Sequence, residues 1–241
     1  WQMAKYKLIK TNTPPIWMRP LIPVLALIGT FILTSGLILW SKANPFETYY
    51  QFLIGPLSTR VSALEVLVKA TPLILTGAAV TFAFTSGYFN IGAEGQYYIG
   101  AFAASLVVLV PLVTPTTPKW IVISAMMLMG MIGGAIWGFF PGFLKARYHV
   151  NEIITTLMLN YVAILWNNFW IFNKWSDAGF QMTPTFEKTA WLPRLADYAR
   201  DYSGFSGMTL HAGFIIALVA VVVVWWILER SRWGYEIKLI G

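Results

Sequence analysis

The sequence contains no cysteine and only two histidines among its 241 residues. Without cysteine there can be no disulfide framework and no thiolate metal ligand. With only His149 and His211 and no cysteine, the sequence gives little support for a metal centre or a nucleophile–base pair. No stretch matches G-x-x-x-x-G-K-[ST], the P-loop that holds ATP. We therefore expect no catalytic residue, no metal and no cofactor bound by this chain, and we predict that it is not an enzyme.

Charge is scarce as well. Only 11% of the residues are charged, 57% are hydrophobic, and the mean hydropathy is +0.63. This composition is typical of an integral membrane protein rather than a soluble domain. The net charge of +7 comes from short basic segments between apolar runs, not from one basic stripe. That distribution argues against nucleic-acid binding and fits membrane topology.

Six segments are apolar enough to cross a hydrocarbon core, which takes about 20 residues of helix. They cover residues 21–40, 63–84, 97–113, 120–144, 153–172 and 210–228. The sequence therefore predicts an all-α, polytopic transmembrane helix bundle of about six spans in contact with membrane lipid. We expect residues 1–19 to form a cytoplasmic N-terminal arm and residues 20–241 to form the transmembrane domain. We also expect that domain to be incomplete at its C-terminal end, because Gly241 stands within a charged segment.

Lysine and arginine predict the orientation. They concentrate in the N-terminal arm, in the link at Lys145 and Arg147, and in the tail at Arg230 and Arg232. With six spans these three segments fall on one side, and basic loops favour the cytoplasm. The prediction is that both ends of the chain are cytoplasmic.

The segment FNIGAEGQ, residues 89–96, interrupts two strongly apolar stretches. Polar side chains and helix-breaking backbone are tolerated at membrane depth only against protein or a water-filled cavity. Asn90, Glu94 and Gln96 are therefore candidates for groups that line a path. The alternative is an ordinary turn in which Gly87 caps one helix and Asn90 caps the next. The sequence leaves open whether the segment is a cytoplasmic turn or a re-entrant break.

Two further patterns lie inside predicted spans. Asn160 falls about two turns into the fifth span, where a buried asparagine either bridges helices or faces a polar passage. Gly130, Gly134, Gly138 and Gly142 repeat every four residues in the fourth span and share one helix face. Such a face lets another backbone approach closely, which favours helix packing within the bundle over a subunit interface.

Three segments resemble the membrane permeases of bacterial ABC importers, in the family of simple-sugar, nucleoside and branched-chain amino acid permeases. They are ATPLILTGAAVTFAFTSGYFNIGAEGQYYIGAFAA (70–104), NEIITTLMLNYVA (151–163) and RWGYEIKLIG (232–241). The form of residues 89–96 is similar to nucleoside permeases, and the second segment resembles a signature of the nucleoside and general simple-sugar branch. The third segment resembles the start of the cytoplasmic loop that engages the ATPase.

The resemblance implies a transport subunit in the bacterial cytoplasmic membrane that forms a substrate path, with nucleosides as the expected cargo. Its implied partners are a second permease subunit, identical or paralogous, a cytoplasmic ATP-binding subunit that holds ATP and Mg²⁺, and an extracytoplasmic substrate-binding lipoprotein. By the same resemblance, the substrate path involves Asn90, Glu94, Gln96 and Asn160. The implied ATPase contacts are Tyr235, Glu236, Ile237 and Lys238. The alternatives are a simple-sugar permease of the same family and, in another class, a secondary carrier.

Overall fold

The computed structural model describes residues 17–110, 112–114, 116–177, 179–180 and 182–240. Residues 1–16 of the predicted N-terminal arm lie outside the described residues. Eight α-helices account for most of the described chain. They are α1 Met18–Trp40, α2 Pro45–Leu53, α3 Arg60–Thr85, α4 Ala93–Leu109, α5 Lys119–Tyr148, α6 Glu152–Asn173, α7 Gly213–Arg230 and α8 Arg232–Ile240. The prediction of an all-α chain is confirmed for these residues.

The chain divides into two compact units, residues 1–63 and 64–241. In the first unit, α2 begins where the Asn44 side chain accepts a hydrogen bond from the Phe46 N–H, with Pro45 at the first helical position. The Tyr49 hydroxyl then reaches back to α1, where it donates to the Phe31 carbonyl at 2.8 Å. The Tyr49 ring also packs edge-on against the Phe31 ring, with centroids 4.9 Å apart. These contacts hold α2 against α1.

In the second unit, α4 and α5 run antiparallel in very close contact. A Cβ added to Gly100 would lie 3.0 Å from the Gly130 carbonyl oxygen, and one added to Gly133 would lie 2.6 Å from the Ala103 Cβ. Larger side chains at these positions would push the helices apart, because helix backbones approach this closely only where residues are small. Of the predicted packing glycines, Gly130 and Gly134 face the α4 backbone, Gly138 faces a side chain of α4, and Gly142 has no neighbour within 4 Å.

Helix α6 packs beside α4 through one buried stripe. The buried residues of α6 are Thr156, Asn160, Ala163 and Asn167. Their spacing of four, three and four residues keeps them on one face of a helix. Toward the other end of α6, Phe102 of α4 packs against the indole rings of Trp166, Trp170 and Trp175, with centroids 5.1–5.8 Å apart. Polar residues thus fill the contact near the start of α6, and aromatic rings fill it near the end.

Four described helices are long and apolar enough to cross a membrane: 20–40, α3, α5 and α7. They correspond to four of the six predicted spans. The other two predicted spans correspond to α4, which has only 17 residues, and to α6, whose buried stripe is rich in Thr and Asn. At 1.5 Å per residue α4 is about 25 Å long, short of a hydrocarbon core of about 30 Å. The structure thus gives four candidate spans where the sequence predicts six.

The segment between α6 and α7 folds back on itself as short 3₁₀ helices and turns. Residues 193–196 pair with residues 208–212 through three backbone hydrogen bonds, including Leu195 N–H to Leu210 O at 2.9 Å. The Arg194 guanidinium stacks 4.4 Å from the centre of the Trp191 ring. This pairing places Leu192 and His211 close to each other, and both side chains lie beside Gly213 at the start of α7.

Candidate functional site

The link between α3 and α4 begins with a helix cap at Gly87. Its N–H donates to the Phe84 carbonyl, and the Tyr88 N–H donates to the Ala83 carbonyl, the hydrogen-bond pattern of a Schellman motif. Gly87 has a φ of 65°, which suits glycine because it lacks a Cβ. The Asn90 side chain then accepts from the Gly92 N–H at 2.9 Å, just before α4 begins at Ala93. The helix cap predicted at Gly87 is present. Asn90 is not the N-cap of α4, which is Gly92; its side chain instead forms a turn immediately before that residue.

Asn160 of α6 fixes the start of α4 from the side. Its Oδ1 accepts from the Gly95 N–H at 2.8 Å, and its Nδ2 donates to the Ile91 carbonyl at 3.0 Å. The Gly95 N–H belongs to the first turn of α4, where backbone donors have no partner within their own helix. Asn160 is only 6% exposed, and a Cβ on Gly95 would lie 2.8 Å from its Oδ1. Of the two roles that the sequence allows for Asn160, the geometry shows the bridge between helices.

These contacts place the start of α4 well inside the bundle. Asn160 stands eight residues after Glu152, the first residue of α6, which is about 12 Å along the helix axis. On α5, the neighbour of Gln96 is Gly138, ten residues and therefore about 15 Å before the end at Tyr148. The polar segment 89–96 thus turns back within the depth of α5 and α6 rather than at their ends. Non-helical backbone such as this link is tolerated at membrane depth where protein or a cavity surrounds it.

Gln96 faces both α5 and an open cavity. A Cβ on Gly138 would lie 2.6 Å from the Gln96 Nε2, so the glycine leaves the room that the amide occupies. The cavity has a volume of about 470 Å³ and lies between α4 and α5, with Tyr97, Gly100 and Gly130 in its wall. Met126, Met127 and Met131 form much of the rest. No hydrogen-bond partner for the Gln96 amide is found among the described residues.

A second cavity of about 470 Å³ shares the wall formed by Tyr97, Met127 and Leu192. Helices α3 and α7 and the segment before α7 form its other walls, including Thr71 and His211. We call the two together the two-lobed cavity, with an α5 lobe at Gln96 and an α3 lobe at His211. Within the described chain, the walls of both lobes carry no Asp, Glu, Lys or Arg.

His211 has a defined hydrogen-bonding state. Its Nδ1 accepts from the Gly213 N–H at 3.1 Å, so the neutral ring carries its proton on Nε2. Burial lowers the pKa of His211, and the positive charge of Arg194 lowers it further. The neutral imidazole is therefore favoured at the α3 lobe. The sequence alone gave no reason to assign His211 or Tyr97 to a site, because their proximity depends on contacts between distant segments.

Two other predicted path residues, Asn90 and Glu94, line neither lobe of the cavity. Glu94 is exposed in the first turn of α4, where a carboxylate complements the helix dipole. Asn90 is half-buried in the link. At the turn between α5 and α6, Lys145 pairs with Glu152 and lies 5.3 Å from the centre of the Tyr88 ring. Among the described residues, no group of three or more His, Asp or Glu side chains could hold a metal ion.

The predicted ATPase contacts lie on α8, a helix where the resemblance suggested a loop. The Ser231 hydroxyl caps it by accepting from the Gly234 N–H at 3.1 Å. Gly234 lies so close to the end of α7 that a Cβ would collide with the Ile227 and Leu228 carbonyl oxygens. Tyr235 is 68% exposed, Ile237 is half-buried, and Lys238 pairs with Glu229 at 2.6 Å. Trp233, which the sequence did not single out, is 70% exposed on the same short helix.

Comparisons with known proteins agree on one family. Residues 62–241 match the family described as branched-chain amino acid transport system / permease component. The chain is 33% identical to the guanosine ABC transporter permease protein NupP of Bacillus subtilis, over 92% of this chain and 61% of that protein. It is 31% identical to the glucose ABC transporter permease protein TsgB13 of Haloferax volcanii, over 95% of this chain and 60% of that protein.

A third relative, the nucleoside ABC transporter permease protein NupB of Lactococcus lactis, is 32% identical over 92% of this chain and 61% of its own length. The chain thus spans about three fifths of the length of these relatives. No solved structure matches the chain. The relatives are permease proteins, which are transport components and not enzymes, and the apolar helices are those of a multi-pass membrane protein. The family match covers most of the chain, and the chain belongs to the ABC transporter permeases of the branched-chain amino acid transport system / permease component family.

Proposed function

We propose that this chain is the membrane subunit of an ATP-binding-cassette importer and that it forms a substrate path for nucleosides. The observation that carries the proposal is the polar segment 89–96, which is the end of the link between α3 and α4 together with the first turn of α4. Its polar turn lies within the bundle, is bridged by Asn160, and presents Gln96 to a cavity. Membrane transporters commonly build their substrate sites where helical backbone stops or starts inside the bundle. The names of the relatives NupP and NupB support nucleosides as the cargo.

The proposal includes the topology and partners that the sequence predicts. Both chain ends lie in the cytoplasm, α4 and α6 complete a set of six membrane segments, and the membrane is the bacterial cytoplasmic membrane. A separate ATPase subunit supplies ATP hydrolysis and docks at α8, where Trp233 and Tyr235 expose aromatic surface. A second permease subunit and an extracytoplasmic lipoprotein complete the importer.

A second candidate is import of a simple sugar, which the similarity to the glucose permease protein TsgB13 favours. The chemistry of the cavity supports a nucleoside rather than a simple sugar. A sugar carries hydroxyl groups around its whole ring, so its binding site must supply many hydrogen-bonding side chains, because a buried hydroxyl without a hydrogen bond costs free energy. The polar side chains in the described lining of the two-lobed cavity are Gln96, Tyr97, Thr71, Thr76 and His211, and the remaining residues are apolar or glycine, a balance that suits a heterocycle with one attached sugar better than a free sugar.

The test is uptake by the full-length protein reconstituted with its ATPase and lipoprotein in proteoliposomes. We expect uptake of labelled guanosine that requires ATP and that stops when the P-loop lysine of the ATPase is replaced. Labelled glucose and leucine serve as comparison substrates. Uptake of glucose without guanosine would establish the sugar candidate. Uptake that persists with the inactive ATPase would establish a secondary carrier instead.

A further inference from the structure

We propose that the two-lobed cavity binds the nucleoside itself, with the base in the α5 lobe against Gln96 and the ribose toward His211 in the α3 lobe. The proposal rests on the proposed function and adds the place, the groups and the chemical class of the ligand. Each lobe, at about 470 Å³, lies in the range of roughly 300–1,000 Å³ that small-molecule sites occupy. Tyr97, Met127 and Leu192 line both lobes, so the proposed ligand lies against these three residues, with its base on the α5 side and its ribose on the α3 side.

The charge of the walls defines the class of ligand. Amino acids are zwitterions, and an ionised group taken out of water needs a paired charge. The described walls carry no charged side chain, so they do not suit the branched-chain amino acids from which the family takes its description. An uncharged ligand fits these walls. His211 preserves this neutrality because its Nδ1 is engaged by the Gly213 N–H and its ring is held in the neutral form.

The available polar groups suit a nucleobase with an attached sugar. A side-chain amide such as that of Gln96 carries both donors and an acceptor, which matches the mixed donor and acceptor edge of a purine. Tyr97 offers an aromatic face and a hydroxyl, and aromatic faces stack on bases of any sequence. The methionines of the α5 lobe make favourable sulfur contacts with aromatic rings. In the α3 lobe the His211 Nε2–H is a donor for a ribose oxygen, and the Thr71 hydroxyl, which donates to Leu67 O, still accepts.

The segment between α6 and α7 contributes to the walls of both lobes. Leu192 lies in the wall of both lobes, two residues before Arg194. The pairing of residues 193–196 with 208–212 fixes Leu192 and His211 in one element. A ligand bound at His211 therefore also contacts the segment that covers the cavity. Gln96 is positioned by other contacts, because Asn160 fixes the first turn of α4 and Gly138 leaves the space for the amide.

The experiment measures guanosine uptake by the full-length transporter with two pairs of matched substitutions. Gln96→Leu removes the amide at the α5 lobe, and Gln51→Leu is its control because Gln51 of α2 lines neither lobe. His211→Asn keeps an oxygen that can accept from the Gly213 N–H but removes the Nε2 donor. His149→Asn is its control, at an exposed residue with a φ of 55° that asparagine tolerates. We expect Gln96→Leu and His211→Asn each to raise the half-saturating guanosine concentration about 3- to 10-fold, the effect of one lost hydrogen bond.

Unchanged half-saturation in both cavity variants, at normal membrane levels, overturns the assignment of this site. Photolabelling of the wild-type transporter with 8-azidoguanosine provides a second measurement that needs no variant to fold. A label on Tyr97 or on residues 126–131 supports the site, and a label confined to other segments overturns it. Labelling at the site without ATP-dependent uptake would overturn the proposed importer function while leaving the nucleoside site in place.

Discussion

Asn160→Leu is the substitution with the clearest structural consequence. Leucine is close to asparagine in size, but it removes both hydrogen bonds that join α6 to the start of α4. The Gly95 N–H is buried and has no other partner in its first helical turn, whereas the Ile91 carbonyl is only partly buried. A buried polar group left unpaired costs about 1–3 kcal/mol, and the partly buried one costs less. The two together give an expected loss of about 2–4 kcal/mol in the local stability of residues 91–95.

Hydrogen exchange followed by mass spectrometry reports this loss directly. A destabilisation of about 2 kcal/mol raises the population of locally open states by roughly 30-fold. We therefore expect backbone amides of residues 89–96 to exchange at least about tenfold faster in Asn160→Leu than in the wild-type protein, with the far end of α4 little changed.

Asn167→Leu is the matched control. Asn167 lies on the same buried stripe of α6 and is 7% exposed, but its Nδ2 donates to the Ala163 carbonyl of its own helix. Replacing it leaves no partner unpaired on α4. Exchange of residues 89–96 should therefore match the wild type. Equal exchange in all three proteins, or the same acceleration in both variants, would refute the assignment of the bridge to Asn160.

Three further predictions use other parts of the chain. Because the sequence has no cysteine, Ala146→Cys should react with a membrane-impermeant thiol reagent only from the cytoplasmic side and Ser176→Cys only from outside, and reversed labelling would overturn the proposed orientation. Because the pKa of His211 is lowered in the folded protein, the unfolded chain takes up a proton at a higher pH, and the free energy of unfolding should fall as the pH drops below about 6.5. When thermal unfolding is compared at pH 8 and pH 5.5, this loss of stability should be smaller in His211→Asn than in the wild type. Trp233→Ala with Tyr235→Ala should weaken binding of the ATPase subunit by roughly 1–3 kcal/mol in a pull-down titration, whereas Tyr202→Ala, equally exposed in the α6–α7 segment, should leave it unchanged.

The helices themselves could largely be predicted from apolar length. The predicted span 153–172 became α6 Glu152–Asn173, and 120–144 became α5 Lys119–Tyr148. Outside the six predicted spans, the sequence did not predict α2 or α8; within them, the largest displacement is that of α4, predicted over 97–113 and observed as Ala93–Leu109. The residues AEGQ read as part of a break because they are polar and contain glycine. They form the first turn of the helix because Asn160, 65 positions away from Gly95, supplies the acceptor that this turn needs. A partner so distant in sequence leaves no local signal.

The candidate site was accessible from sequence only in part. Gln96 was singled out because an amide is costly in hydrocarbon, and the structure places it at a cavity. The same reasoning applied to Asn160, which instead uses both amide atoms on the backbone of the link and α4. A polar residue in an apolar stretch looks the same in the sequence whether its side chain is available to bind a ligand or is already hydrogen-bonded to another part of the protein. His211, Tyr97 and Leu192 were missed because three separate segments bring them together.

The break at residues 89–96 and the two-lobed cavity follow from one arrangement of α4, α5 and α6. If α4 began at the ends of its neighbours, Gln96 would lie about 12 Å nearer the turn between α5 and α6, beside charged Lys145 and Glu152. Asn160 holds the first turn of α4 about two helical turns away from the start of α6. At this position Gln96 contacts Gly138, and Tyr97 lines the cavity together with Met127. Gly92 and Gly95 allow this, since a Cβ at either would collide with Thr156 or Asn160. The asparagine and the glycines of this segment therefore position the polar groups of the cavity without lining it.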